Sequence, residues 1–298
     1  MKSRPPVKIA VIAKPSAPDA LKQLRDAVAE LRSSGHTVRA RMTFEDNDAF
    51  RFARSAARAG VDLIIAAGGD GTINQVVNGM TRAGVPHPRL AVVPLGTAND
   101  FAKGLSLPQD VKAAVSLAVL GNSVPVDVAA VNNRAFINVS TGGFGPDITE
   151  ESSTKLKRRF GKLAYLFTAV RKLTQLEPFH ASFEADGRTV YDGPFFFFAV
   201  GNARHTGGGT PVTPHADFSD AQLDLALFTG EKRRDFLTLL PDLRAGQHAH
   251  EADVLYLKAG EIHVRCKDEI AVNADGEPLR GHDFHYRLIG QQIEVMRP

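Results

Sequence analysis

One cysteine, Cys266, is all that 298 residues contain. That excludes a disulfide framework and a thiolate metal cluster, and a reducing cytosol is the expected setting. No segment approaches the roughly 18 consecutive apolar residues of a membrane span. The densest run, "FFFFAV" from Phe195 to Val200, has the length of a buried strand. In the opening "MKSRPPVKIAVIAKP" the apolar stretch is too short and too soon broken for a signal peptide. A large excess of one charge is also missing. The formal net charge of +3 fits an anionic substrate or a membrane surface, and it is too weak to argue for nucleic acid. No stretch has the aromatic-interleaved basic pattern of a nucleic-acid module, so no nucleic-acid partner is expected. Internal repeats, low-complexity tracts, an HExxH metal motif and a GxSxG elbow are absent too.

What is present is an ordinary globular chain, 43% apolar, with length enough for two domains and ample core. Its first ~125 residues alternate strand and helix patterns. "VKIAVIA", "HTVRARMTF", "VDLIIAAG" and "LAVVPLG" read as strands. Helices are expected on the face formed by Leu21, Leu24, Val28 and Leu31, then over "DNDAFRFARSAARAG", "INQVVNGMTRAG" and "TANDFAKGL", and from Pro108 to Leu120. That alternation implies an α/β domain whose parallel sheet is covered on both faces. Beyond about Pro125 short strand-like segments dominate, from "VDVAAVN" to "IEVMRP", and predict a β-rich, sandwich-like or barrel-like second domain. Two helical patterns interrupt it, Thr154 to Leu176 and Lys232 to Leu243.

The chemistry concentrates in "GGDGTINQ", Gly68 to Gln75, between a buried strand and a helix. Such a loop can turn backbone N–H groups towards an anion, helped by the helix dipole, with Thr72 as the expected N-cap. It also reads as a tight turn that needs glycine for positive φ. Asp70 favours the first reading only if it is compensated. Two unit charges ~4 Å apart repel by roughly 4 kcal/mol at an effective dielectric of about 20. A bridging cation or a role in proton handling would supply the compensation. The loop matches neither GxGxxG nor GxxxxGK[ST]. "PLGTANDFAKG" repeats the strand, Gly-Thr and helix start one strand later, which brings Thr72 and Thr97 to the same sheet edge. Two such turns suit a polyphosphate.

Taken together, "GGDGTIN", "PLGTANDFA", "NVSTGGFG" and "NADGEPL" resemble the diacylglycerol-kinase-type catalytic domain, and the chain as a whole resembles the bacterial YegS-type lipid kinases. GGDGT alone is shared with NAD-kinase and phosphofructokinase-like folds. The resemblance implies an ATP-dependent kinase that phosphorylates a lipid hydroxyl, phosphatidylglycerol- or diacylglycerol-like, in the cleft between its domains. Residues 1–127, rejoined by 290–298, would form the nucleotide-binding domain, and 128–289 the lipid domain. Nucleotide contacts would fall on Thr43, Gly69, Asp70, Gly71, Thr72, Ile73, Asn74, Gln75 and Thr97. Asp70 and Glu277 would be catalytic, with Glu277 accepting the hydroxyl proton. A Mg²⁺ site, open to Ca²⁺ as a substitute, would fall on Asp217, Asp220 and Gln222. A second Mg²⁺ would bridge Asp70 and the ATP phosphates. The implied location is cytoplasmic, with peripheral contact at the inner membrane face; the sequence is silent on oligomeric state.

Three positions depart from the family pattern: Gln75 for the usual glutamate, "AKPSA" for Asn-Pro-x-Ser-Gly, and Ala221 for glycine. An NAD-kinase-like enzyme and a catalytically weakened lipid-binding or regulatory protein stay open as alternatives. Asp275 and Glu277 share one face if "DGE" lies on a strand, where one would raise the other's pKa, and form exposed acids if it is a hairpin turn. Lys155 to Leu173 carries an apolar helical face with crowded basic residues, which reads as lipid docking or as packing on the β-rich domain. The histidines of "QHAHEAD" and "GHDFH" read as surface or packing residues. "HTGGGTPVTP" reads as a loop over the lipid cleft or an ordinary connection.

Overall fold

The computed structural model describes residues 5–143, 177–290 and 292–298. The helix expected at 154–176 and the basic segment 155–173 lie outside the described residues. Strands β1 (Lys8–Ala13), β2 (Thr37–Met42), β3 (Leu63–Gly68) and β4 (Arg89–Pro94) pair in parallel in the order β2-β1-β3-β4. Two strands from later in the chain extend this sheet. The C-terminal β15 (Ile293–Arg297) lies parallel to β4, and β5 (Asn122–Val126) lies antiparallel to β15.

Every residue of β3 is buried, because helices cover both faces. Leu63, Ile65 and Ala67 meet α1 (Pro18–Ser33) and α5 (Val111–Leu120). Ile64 and Ala66 meet α2 (Asp48–Arg58), α3 (Asp70–Thr81) and α4 (Asp100–Gly104). Helix α5 begins at Val111, later than expected, because the Asp110 carboxylate caps it by accepting the Ala113 N–H at 2.9 Å.

The second domain is antiparallel throughout. Its strands are β6 (Ala129–Val131), β7 (Arg134–Phe136), β8 (Val139–Gly143), β9 (Phe179–Ala185), β10 (Arg188–Gly201), β11 (Leu223–Thr229), β12 (Val254–Ala259), β13 (Glu261–Ala274) and β14 (Glu277–Leu288). Strands β10 and β13 are 14 residues long, and each pairs with β9 along one half and β8 along the other. The circuit β8-β10-β9-β13 therefore closes on itself, which makes this domain barrel-like. Its interior holds Phe183, Phe195, Phe198 and Tyr286, with Phe183 edge-on to Phe195 at 5.3 Å and to Phe198 at 5.4 Å.

A register shift between Phe195 and Phe197 explains the run of four phenylalanines. It sends Phe196 and Phe197 together to the outer face, under Phe236 of α6 (Arg233–Thr238). The expected helix from Lys232 to Leu243 is two short ones, α6 and α7 (Leu240–Ala245). The break falls at Leu239, just before Pro241, whose ring cannot donate to a continuing helix.

Candidate active site

The ends of β1, β3 and β4 form a cradle of about 220 Å³ lined by Lys14, Ser16, Gly68, Gly69, Gly71, Thr72 and Gly96. Gly68, Gly69 and Gly96 are required by close approach, whereas a Cβ on Gly71 would meet open space. None of Gly68, Gly69 or Gly71 has positive φ. A Cβ on Gly96 would sit 2.5 Å from the Gly69 Cα, so the two Gly-Thr turns touch backbone to backbone. A Cβ on Gly68 would collide with the Thr72 side chain. Thr72 is not the N-cap. Helix α3 starts at Asp70, and Thr72 lies inside it, 6% exposed, with its N–H given to the Gly69 carbonyl. Ile73 has no exposed surface and packs in the core, so only its backbone remains as a candidate contact, and its N–H too is held by Gly69. Thr97 is exposed beside Gly96.

Asp70 has a local purpose. Its Oδ1 accepts the Phe101 N–H at 3.1 Å, which places a carboxylate at the N-terminus of α4. The glycine loop and "GTAND" are thereby joined. Oδ2 has no hydrogen-bond partner among the described residues.

Thr43 lies at the end of β2, its N–H bonded to the Ala13 carbonyl beside Lys14. The next residue, Phe44, is 84% exposed. Asp48 fixes this corner by accepting the N–H groups of Phe44 and Glu45 at 2.8 and 2.9 Å. Those bonds and the Arg51 side chain hold its carboxyl near 2.

One turn further along α3, about 5.4 Å in rise, a second cavity opens between the domains. It measures about 600 Å³, and its lining includes Asn74, Gln75, Arg51, Arg82, Arg134 and Glu277. Asn74 and Gln75 thus face this cleft; neither lines the cradle. The Asn74 side chain is committed, donating to the Ala135 carbonyl at 3.1 Å and to Asp275 at 2.9 Å. Asn78, one turn on, exchanges hydrogen bonds with both backbone groups of Ala135.

"DGE" is a hairpin turn. Asp275 and Gly276, with φ of 50° and 91°, form the two-residue loop between β13 and β14. The two carboxylates do not share a face. Asp275 turns inward and accepts the N–H groups of Ile137, Asn138 and Val139 at 2.6, 3.0 and 3.2 Å. Burial, not Glu277, pushes its pKa up to about 6 against those donors and Asn74. Glu277 turns into the cleft, 45% exposed, where Arg134 donates to it at 3.2 Å.

The two expected carboxylate ligands are each engaged by other groups of the protein. Asp217 closes on Ser219, whose N–H and hydroxyl it accepts at 3.0 and 2.9 Å. Asp220 bonds the Lys258 ammonium at 2.5 Å, and Gln222 meets it only through its backbone N–H. Among the described residues no group of three His, Cys, Asp or Glu is placed to hold a metal ion. His248 is a packing residue, fully buried, stacked on Phe228 and bonded to the Val212 carbonyl at 3.0 Å. The "HTGGGTPVTP" loop leans on α4, Gly208 donating to Asp100 at 2.9 Å, away from the Glu277 cleft. Lys14 lines the cradle and Arg134 and Asn78 line the cleft, and sequence reasoning singled out none of the three. "AKPSA" held a signal for Lys14, since it immediately follows a strand ending at the cradle.

Comparison with known proteins matches these two halves. The diacylglycerol kinase catalytic domain model matches residues 8–131, and the YegS C-terminal NAD kinase beta sandwich-like domain model matches 140–297. The probable lipid kinase YegS of Escherichia coli O127:H6 is 35% identical over 277 residues, 92% of this chain and 91% of that protein. The chain belongs to the YegS lipid kinase family. It is a kinase, and the family implies ATP as co-substrate. The YegS of Shigella flexneri is likewise 35% identical, over 279 residues. A putative diacylglycerol kinase from Bacillus anthracis str. Sterne superposes with a TM-score of 0.81 at 26% identity, covering 100% of this chain and 97% of that one. Yeast NADH kinase complexed with NADH shares the fold alone, with a TM-score of 0.57 at 12% identity, over 99% of this chain and 84% of that one.

Asp275 gives this YegS-family joint a pH signature. Between about pH 4 and 6 the folded chain keeps a proton on Asp275 that the unfolded chain has released. Its contribution to stability is therefore full below pH 4 and declines as the pH rises through 6. Denaturant unfolding of wild type and Asp275→Asn should show their stability difference moving against wild type by up to about 3 kcal/mol across that window, then flattening. A difference constant from pH 4 to 6 would contradict the assignment.

Proposed function

We propose that this kinase transfers the γ-phosphate of ATP to a lipid hydroxyl presented in the interdomain cleft. The observation that carries this reading is the arrangement along α3: a glycine-lined cradle at its first residues and Glu277 facing its second turn. A triphosphate seated on the Gly69–Gly71 backbone extends naturally towards an acceptor held beside Glu277, while the Gly96 N–H is given to Asn99 Oδ1 at 3.0 Å. Phosphoryl transfer asks mainly for positioning and charge neutralisation. The acceptor oxygen bonds to the γ-phosphorus, the bond to the bridging oxygen breaks, and ADP leaves with that electron pair.

Glu277 takes the hydroxyl proton, a role worth ~10²–10⁴ in rate. Arg134 holds the Glu277 carboxylate in the cleft. Lys14, whose ammonium makes no hydrogen bond or ion pair among the described residues, neutralises phosphate charge, and Phe44 offers an exposed face to the base. The donor set suits Mg²⁺ with ATP, since Asp70 Oδ2 lacks a partner among the described residues and Mg²⁺ binds through one or two carboxylates plus phosphate oxygens. Bound there, the ion would offset the repulsion between Asp70 and the phosphates. Arg51, Arg82 and Arg134 in the cleft favour an acceptor with a phosphodiester headgroup, such as phosphatidylglycerol, over neutral diacylglycerol.

The test is transfer of label from γ-labelled ATP to phosphatidylglycerol, diacylglycerol or NAD. Label in phosphatidylglycerol supports the proposal. Label in NAD alone, or ATP binding without transfer to any lipid, would overturn it in favour of the NAD-kinase-like or non-catalytic alternative. Glu277→Gln should lower kcat about 10²-fold or more. Asp70→Asn should do the same while keeping Tm, because its amide oxygen still accepts the Phe101 N–H. Lys14→Met should raise KM for ATP about tenfold with little change in kcat, equivalent to about 1.4 kcal/mol of lost charge-assisted bonding. Steady-state kinetics and thermal melts check all three.

A further inference from the structure

The loop from Asp217 to Gln222 is where the family resemblance puts a divalent cation, and the residues present do not fit one. Strands β11 and β12 pair Asp224 directly opposite Lys258, so backbone register delivers the ammonium to this spot. Lys258 Nζ lies 2.5 Å from Asp220 Oδ2 and 3.4 Å from Asp224 Oδ2. Asp224 has no exposed surface, and its other oxygen accepts the Tyr256 hydroxyl at 2.6 Å. Tyr256 and Lys258 are two apart on one strand and so share a face. The remaining Asp220 oxygen takes the Gln222 N–H at 3.1 Å, and Asp217 is closed on Ser219.

We propose that the Lys258 ammonium is the built-in cation of this loop and that the chain holds no divalent ion at Asp217, Asp220 and Gln222. A buried carboxylate needs a charge partner inside the protein. Asp224 has one on its own sheet, and that same ammonium pins Asp220 of the loop. A divalent ion at Asp220 would face the ammonium at contact range and compete with it for the same oxygen. The clamp also has a mechanical consequence. Between Asp217 and Asp220, the Phe218 carbonyl accepts the Asp127 N–H at 2.7 Å, and the Phe218 ring packs edge-on against Phe101 of α4 at 5.5 Å. Asp127 in turn accepts the Ala221 N–H at 2.9 Å. Lys258 thus anchors a loop that presses on the helix capped by Asp70. This inference does not depend on which acceptor is phosphorylated.

The experiment uses nucleotide-free full-length protein, so that ions bound with ATP do not contribute. Thermal melts are run in EDTA, in MgCl₂ and in CaCl₂, with metal content measured by mass spectrometry after dialysis. Wild type should show one Tm in all three buffers and substoichiometric metal. A wild-type Tm that falls in EDTA and returns with Mg²⁺, or one divalent ion retained per chain, would overturn the proposal. Lys258→Met should lower Tm by about 3 °C or more, with Lys258→Arg restoring most of the loss. A Lys258→Met protein as stable as wild type would also overturn it. Where Lys258→Met fails to fold, the wild-type arms decide alone.

Discussion

The carboxylate of Asp275 is the constraint on which the rest of the site depends. It sits in a two-residue turn of the second domain, yet it gathers three consecutive N–H groups from Ile137 to Val139 and the side-chain amide of Asn74 from the first. Each of those donors would otherwise be stranded where β7 passes into β8 against α3. By meeting them all, one side chain fixes the hairpin, and with it Glu277 two residues on, against the helix whose first residues form the cradle. Glu277 can stay half-exposed and reachable because Asp275 does the anchoring. Asn78 reinforces the same contact through Ala135, so α3 is both the floor of the cradle and a wall of the cleft.

Asp70 shows a similar economy. A negative charge among the glycines of a tight loop looks costly, and in sequence it asked for a bridging cation or a role in proton handling. In the fold, one of its oxygens caps α4, joining the two Gly-Thr turns whose backbones already touch at Gly69 and Gly96. That cap gives Asp70 a structural role and leaves its second oxygen without a hydrogen-bond partner among the described residues. Lys14 lines the same cradle as a cation from the protein itself.

Much of the architecture was legible because it rests on local signals. The alternation of β3 between two helical layers, the parallel pairing of the first four strands and the β-rich character of the second half all follow from periodicity and turn residues. The meeting of two glycine turns at one sheet edge could be read from "GGDGT" and "GTAND". What escaped depends on contacts between distant residues. Thr72 looked like a cap, but the helix begins two residues earlier, because Gly69 lets the chain turn against Gly96. Asp275 and Glu277 could be placed on one face or on a turn, and only the pairing of β13 with β14 decides. The committed side chains of Asn74 and Asn78 need Ala135, some 60 residues away, to be understood. Lys258 opposite Asp224 is a matter of strand register, which no spacing in the sequence reveals, and it changes the meaning of the acidic loop.

In the proposed mechanism the cradle and the Glu277 cleft form one reaction path along α3. A crystal structure with a non-hydrolysable ATP analogue tests it most directly. The phosphate chain should lie on the Gly69–Gly71 backbone, with Lys14 against it and the terminal phosphate pointing to the Glu277 side of α3. A nucleotide bound with its phosphates in another cavity, or turned away from Glu277, would contradict it.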